Sequence, residues 1–231
     1  MKIGILGATG AVGRQMLDCL IEQEIPVDDL VLLASKKSAG QIIRFKDKDY
    51  EVKEVNHDSF KGLDVVLGAS SNEVAKQYKD DIVNAGAVFI DNSSAFRMDD
   101  DVPLIVPEIN GNDVKKHKGV ISNPNCSTII TLMAINAINK LSKVKVMIAS
   151  TYQAVSGAGK GGIDELNNEI SDLNYEPSVF PYTIAYNCIP CIGSLKENLY
   201  TSEEMKMENE GKKILHNNDL RVTCTCVRVP V

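Results

Sequence analysis

Lys2-Ile3-Gly4-Ile5-Leu6, followed at once by Gly7-Ala8-Thr9-Gly10-Ala11-Val12-Gly13, is the stretch whose reading decides the fold. Its first five residues are mainly apolar and read as a short strand, and the pattern running on to about Gln23 reads as a helix. Glycine recurs at every third position between them. Such a turn reverses the chain tightly, exposes bare backbone to a phosphate and lets the helix pack closely on the strand. A second apolar run at 30–34 supplies another strand, the strand–turn–helix–strand context that marks dinucleotide binding.

That second strand ends in Ala34-Ser35-Lys36-Lys37-Ser38. NAD sites place Asp or Glu there to accept from the ribose hydroxyls. Two cations and two hydroxyls suit a 2′-phosphate instead, so NADP is the expected cofactor. Residues 42–45 and 50–55 read as a hairpin, 64–68 and 88–91 as further strands with a helix over 73–84 between them, and Leu104 with Ile105 as a Pro-bounded strand. Small polar runs follow the strand ends, among them Ala69-Ser70-Ser71-Asn72 and Asn92-Ser93-Ser94-Ala95-Phe96-Arg97. Open α/β sheets bind ligands at such ends. Arg97 is a candidate anion clamp, because guanidinium matches phosphate or carboxylate bidentately.

A short apolar run at 119–121 leads into Ser122-Asn123-Pro124-Asn125-Cys126-Ser127-Thr128, and a long apolar segment follows at 129–141. Cys126 is therefore predicted at a strand-to-helix junction. Free amide donors and the positive end of a helix dipole favour a thiolate there, and the thiolate is the form that attacks electrophilic carbon. The polar surroundings argue against a packed structural cysteine. Asn125 offers an amide to a polar substrate group.

Beyond it, 143–152 alternates as a half-buried strand, 153–162 reads as a flexible glycine-rich polar loop, 163–171 as a helix, and 172–200, with three prolines, as irregular. Thr201-Ser202-Glu203-Glu204 has capping-box spacing and starts a helix reaching about His216. Glu203 and Lys206 share a face of it at i, i+3, a spacing usual for surface pairs. The final run, 221–231, alternates as a strand, with Arg228 on the face of Cys224 and Cys226.

The 231 residues carry a formal net charge of −6 and no cluster of Lys and Arg, which argues against nucleic-acid or anionic-membrane partners. No apolar stretch reaches membrane-spanning length and no signal peptide precedes the first strand, so a cytoplasmic protein is expected. Its six cysteines are then expected reduced. Cys188-Ile189-Pro190-Cys191 with Cys224 and Cys226 could be a four-thiolate zinc set. The two on the strand lack the turn-borne C-x₂-C arrangement, so no metal is expected. Cys19 falls on the apolar face of the first helix and is assigned to the core.

Taken together, Gly7 to Gly13, Ser122 to Thr128, Thr151-Tyr152-Gln153-Ala154-Val155-Ser156-Gly157-Ala158-Gly159 and Val227-Arg228-Val229-Pro230-Val231 resemble aspartate-β-semialdehyde dehydrogenase, in order and across the whole chain. The resemblance implies NADPH-dependent reductive dephosphorylation of L-aspartyl-4-phosphate to L-aspartate 4-semialdehyde, on the route to lysine, threonine and methionine. It implies a Rossmann-type, mostly parallel sheet followed by an α+β dimerisation and catalytic domain, in a homodimer. The domains are expected at 1–125 and 126–231, the second incomplete. Cys126 is implied as the nucleophile and Gln153 as the residue orienting the intermediate. Arg97, Asn125 and Lys206 match the phosphate pocket, and Glu203 and Arg228 the pair gripping the substrate's amino and carboxylate groups. Cofactor contacts are expected from Gly7, Thr9, Gly10, Ala11, Val12, Gly13, Ser35, Lys36, Ser38, Ser70, Ser156 and Gly157.

One departure stands out. The family carries its acid/base histidine in an Arg-x₆-His arrangement, and counting from Arg228 passes Val231. The chain is accordingly expected to be the N-terminal portion of a longer enzyme. Competing readings are an N-acetyl-γ-glutamyl-phosphate reductase, whose acylated substrate amine has less need of Glu203, and a non-catalytic NADP-binding homologue.

Overall fold

The computed structural model describes residues 1–172 and 174–231; Leu173, in the segment expected to be irregular, lies outside the described residues. The chain divides into two compact units, Met1–Pro124 and Asn125–Val231.

The first unit is built on a seven-stranded sheet ordered β3-β4-β2-β1-β5-β6-β7. Its strands are β1 (Lys2–Leu6), β2 (Asp29–Ala34), β3 (Ile42–Phe45), β4 (Lys48–Glu54), β5 (Val65–Gly68), β6 (Val88–Asp91) and β7 (Val120–Ser122). Every pairing is parallel except the β3–β4 hairpin. Helices α1 (Ala11–Glu22), α2 (Asn72–Asn84) and the one-turn α3 (Pro107–Asn110) belong to the same unit. Side chains that alternate along β1 and β2 feed two apolar clusters. Ile3, Ile5, Leu30 and Leu32 join Leu17 and Leu20 of α1, while Leu6 and Leu33 join Ala75, Tyr78 and Ile82 of α2. A central strand covered on both faces is why these runs read as almost continuously apolar.

Two expectations fail in this unit. Cys19 is exposed, because the buried stripe of α1 runs through Gly13, Leu17 and Leu20 and leaves position 19 off it. Leu104 makes only an isolated bridge to Ser122, since the prolines at 103 and 107 leave too few residues for a ladder.

In the second unit β8 (Val146–Gln153) and β9 (Arg221–Arg228) form a parallel pair, with Gln153 opposite Arg228. Helices α4 (Cys126–Asn139), α5 (Gly159–Ser171) and α6 (Ser202–Ile214) complete it. Helix α5 starts four residues before the expected position, so much of the anticipated 153–162 loop is helical. Gly162 allows close packing there: a Cβ would lie 2.5 Å from the Val155 carbonyl oxygen, 2.9 Å from the Ala158 methyl and 3.1 Å from the Phe180 ring.

The irregular segment after α5 is held by two buried carboxylates on that helix. Glu165 accepts the backbone N–H groups of Ser178, Val179 and Phe180 at 2.6–2.9 Å, and Glu169 accepts those of Ile184 and Ala185. The pair at Glu203 and Lys206 is not the surface pair its spacing suggests, because the Glu203 carboxylate is buried.

Burial pushes the Glu165 carboxyl up, but its backbone donors outweigh burial and hold it below the usual carboxylate range. A lowered folded value means that this stabilisation is complete above the ordinary carboxylate value of about 4.3 and is lost as pH falls through the lower, folded value. Glu165→Ala strands three amide donors and is expected to cost about 3 kcal/mol at pH 7. In urea melts the deficit should shrink steadily as pH falls below about 4. A deficit independent of pH would contradict the assignment.

Candidate active site

A cavity of about 440 Å³ in the first unit is lined by Gly7, Thr9 and Gly10 of the glycine turn, Ser35 and Lys36 beyond β2, and Ser70 beyond β5. Gly7 has φ +93°, and a Cβ there would overlap the Ala69 carbonyl, so only glycine lets the turn lie against the β5 end. Gly10 caps α1 without a side-chain acceptor, leaving the first-turn amides to a ligand. Ser70 Oγ is buried without a protein partner.

Ala11 and Gly13 form the first turn of α1 and do not line this cavity. Val12 points instead into an apolar groove with Met16 and Cys19. Ser38 also lies off the cavity wall, its N–H donating to Ser35 O. Glu54 enters the cavity from β4, beside Ala34 in register. Sequence reading missed it because the acid comes from the neighbouring strand and not from β2. Arg97 is largely buried, its Nη2 donating to Asn92 O at 3.0 Å. Burial raises the nearby Asp91 carboxyl, against the hydroxyl and N–H of Ser93 and the charge of Arg97.

The second unit holds a separate cavity of about 430 Å³, lined among others by Cys126, Gln153, Ser156, Gly157 and Arg228. Asn125 is the N-cap of α4, its Oδ1 accepting from the N–H groups of Ser127 (3.0 Å) and Thr128 (3.3 Å). Cys126 is thereby the first residue of the helix, and it is exposed. Gln153 ends β8. Its Oε1 accepts from Thr151 Oγ1 at 2.9 Å and its Nε2 donates to Glu203 Oε1 at 3.1 Å, so both ends of the amide are fixed.

Glu203 also accepts from Asn125 Nδ2 at 2.9 Å and pairs with Lys206 at 3.0 Å. Burial pushes this carboxyl up, but Lys206, Asn125 and Gln153 together hold it below the usual range, as an anion. Asn125, Glu203 and Lys206 therefore form a supporting layer and do not line the cavity. Arg228 ends β9 and donates through Nη1 to Ala154 O at 2.6 Å, with its guanidinium 5.9 Å from the Phe180 ring. Burial lowers its pKa, against the pull of Glu203 and Cys126. Gly157 leaves it room, since a Cβ there would come 2.8 Å from Nη1. Thr151 gave no sequence signal beyond its place two residues before Gln153 on one strand face.

A family model described as semialdehyde dehydrogenase, NAD binding domain, matches residues 2–117, and a second, semialdehyde dehydrogenase, dimerisation domain, matches residues 135–231. The aspartate-semialdehyde dehydrogenase of Bacillus subtilis is 44% identical over 242 residues, a match covering 100% of this chain and 70% of the relative. This chain belongs to the aspartate-semialdehyde dehydrogenase family. The crystal structure of aspartate semialdehyde dehydrogenase II complexed with ASA from Vibrio cholerae superposes with a TM-score of 0.96 at 42% identity, covering 100% of this chain and 70% of that one. The Candida albicans enzyme, solved with NADP, matches at a TM-score of 0.71 and 25% identity, over 100% and 68%.

The first-unit cavity of this chain fits a dinucleotide on its own geometry. A bare turn, uncapped helix amides and the unpartnered Ser70 hydroxyl are groups a pyrophosphate can satisfy, and Lys36 can meet a 2′-phosphate. Lys36→Ala is expected to raise the Kd for NADPH about tenfold and leave that for NADH nearly unchanged, the loss of one charge-assisted contact. Fluorescence titration with both nucleotides checks this, and equal weakening of the two would contradict the role.

Proposed function

We infer that the chain catalyses the NADPH-dependent reductive dephosphorylation of L-aspartyl-4-phosphate to L-aspartate 4-semialdehyde, a step of lysine, threonine and methionine biosynthesis. The observation that carries this is an exposed cysteine at a helix N-terminus, sharing one cavity with a fixed amide and a guanidinium.

Cys126 Sγ attacks the acyl-phosphate carbon, the bond to the phosphate oxygen breaks, and phosphate leaves behind a thioester. Splitting one difficult displacement into two steps is the gain of covalent catalysis. NADPH supplies the hydride that converts the thioester to the aldehyde with return of the thiolate. Gln153 has one Nε2 hydrogen committed to Glu203 and keeps the other for the substrate's carbonyl oxygen. The positive end of the α4 dipole adds to the stabilisation of the developing oxyanion.

Arg228 commits one nitrogen to Ala154 O and presents its remaining donors to the substrate carboxylate. Glu203, held as an anion, supplies the negative field that an α-ammonium group requires, and Lys206 and Arg97 keep the phosphate-binding roles that the family resemblance implies. Ser156 and Gly157, on the wall beside Cys126, are read as contacts to the cofactor's reactive end. The enzyme works as a homodimer through its dimerisation domain. Among the described residues no helix is long and apolar enough to cross a membrane. A reducing cytoplasm is the setting that suits its exposed nucleophilic thiol.

The histidines lie elsewhere. His57 bonds Asp81, His117 accepts from the Gly119 N–H, and His216 follows α6; none lines the Cys126 cavity. The 231-residue chain by itself is therefore expected to turn over about 10²–10⁴-fold more slowly than a relative with a histidine acid/base in place. The test is phosphate-dependent NADPH formation from aspartate 4-semialdehyde, alongside N-acetylglutamate 5-semialdehyde and the Cys126→Ser variant. Slow turnover of the first substrate alone, abolished in Cys126→Ser, supports the assignment. Preference for the acetylated substrate, or activity surviving in Cys126→Ser, would overturn it.

A further inference from the structure

Helix α6 buries Glu203, Met207, Glu210 and Ile214 along one stripe at helical spacing. Glu203 belongs to the site already described. Glu210, two turns further on, is 2% exposed and has no part in the chemistry above. A carboxylate so deeply buried requires strong hydrogen bonds, and one comes from far along the chain: Oε2 accepts the backbone N–H of Asn125 at 2.7 Å, across 85 residues of sequence.

That N–H has a particular status. The N-cap residue of a helix keeps an amide that no intrahelical carbonyl or carboxylate serves, unless a Glu or Gln at the third helical position folds back onto it in a capping box. Helix α6 has such a box, with Glu204 reaching back to the N–H of Thr201. Helix α4 cannot form one, because its third helical residue is Thr128, whose side chain is too short to return. Glu210 supplies the missing carboxylate from another helix.

Both carboxylates of the α6 stripe thus converge on Asn125, Glu203 through the side-chain amide and Glu210 through the backbone. The residue immediately before the nucleophile is held at both ends. We propose that Glu210 is a positioning residue for Cys126, completing the α4 cap in trans and fixing the first helical turn, and with it the sulfur, against α6. The proposal rests on the reading of Cys126 as the nucleophile.

Iodoacetamide alkylation of the 231-residue chain, followed residue by residue with mass spectrometry, tests both claims separately. Cys188 is exposed and outside the site, so it serves as internal reference. In the unaltered chain Cys126 is expected to react faster than Cys188 and to be protected by aspartate 4-semialdehyde. Glu210→Met fills the space but cannot accept the N–H, and should slow Cys126 relative to Cys188 about tenfold or more, the scale of a small displacement of a reacting group. Glu210→Gln retains an acceptor oxygen and should restore the ratio. Should Glu210→Met fail to fold, Glu210→Asp withdraws the acceptor by one methylene at unchanged charge and is expected to lower the same ratio.

An unprotected Cys126 no faster than Cys188 in the unaltered chain would refute the nucleophile and the proposal together. With a fast, protected Cys126, an unchanged ratio in Glu210→Met, equal slowing of both cysteines, or no recovery in Glu210→Gln would overturn the positioning role alone.

Discussion

The second unit is organised around the burial of the Glu203 carboxylate. Placing an anion there is unfavourable unless donors surround it, and the fold supplies Asn125 from the start of α4, Gln153 from the end of β8 and Lys206 one turn along α6. Two of these donors are residues that the proposed chemistry needs fixed. Asn125 caps the helix that presents Cys126, and Gln153 faces the same cavity. The desolvation cost of one carboxylate is thereby converted into orientation of the proposed nucleophile and of the amide beside it.

The first unit solves a different problem with glycine. Its turn must approach the β5 end so closely that a methyl group at position 7 would collide with backbone, and α1 must begin without a side chain over its amides. What remains is an uncapped helix N-terminus above a bare loop, complementary to a diphosphate by shape and by partial charge. On the proposed reading the units are specialised, one toward nucleotide binding through backbone and the other toward covalent chemistry through side chains.

The glycine turn, the parallel strands and the cysteine at the start of a helix were legible in the sequence because each rests on local periodicity or local chemistry. The capping box at Thr201 and the shared face of Cys224, Cys226 and Arg228 were legible for the same reason. The failures share a cause as well. Nothing near Cys19 in sequence says which stripe of α1 meets the sheet, and nothing near Gly162 says that Phe180 will close over it. Glu165, Glu169 and Glu210 resemble ordinary solvated acids on amphipathic helices; their roles depend on backbone donors 13 to 85 residues away. Asn125 was expected to hold substrate; its Oδ1 also caps α4 and one Nδ2 hydrogen goes to Glu203, commitments visible only once α6 is folded against α4.

Direct observation of the covalent intermediate tests the central claim most sharply. Incubated with L-aspartyl-4-phosphate in the absence of NADPH, the chain should release phosphate and retain an aspartyl group on the peptide that contains Cys126, detectable by mass spectrometry and discharged when NADPH is added. Phosphate release with no adduct, or an adduct on any other cysteine, would contradict it.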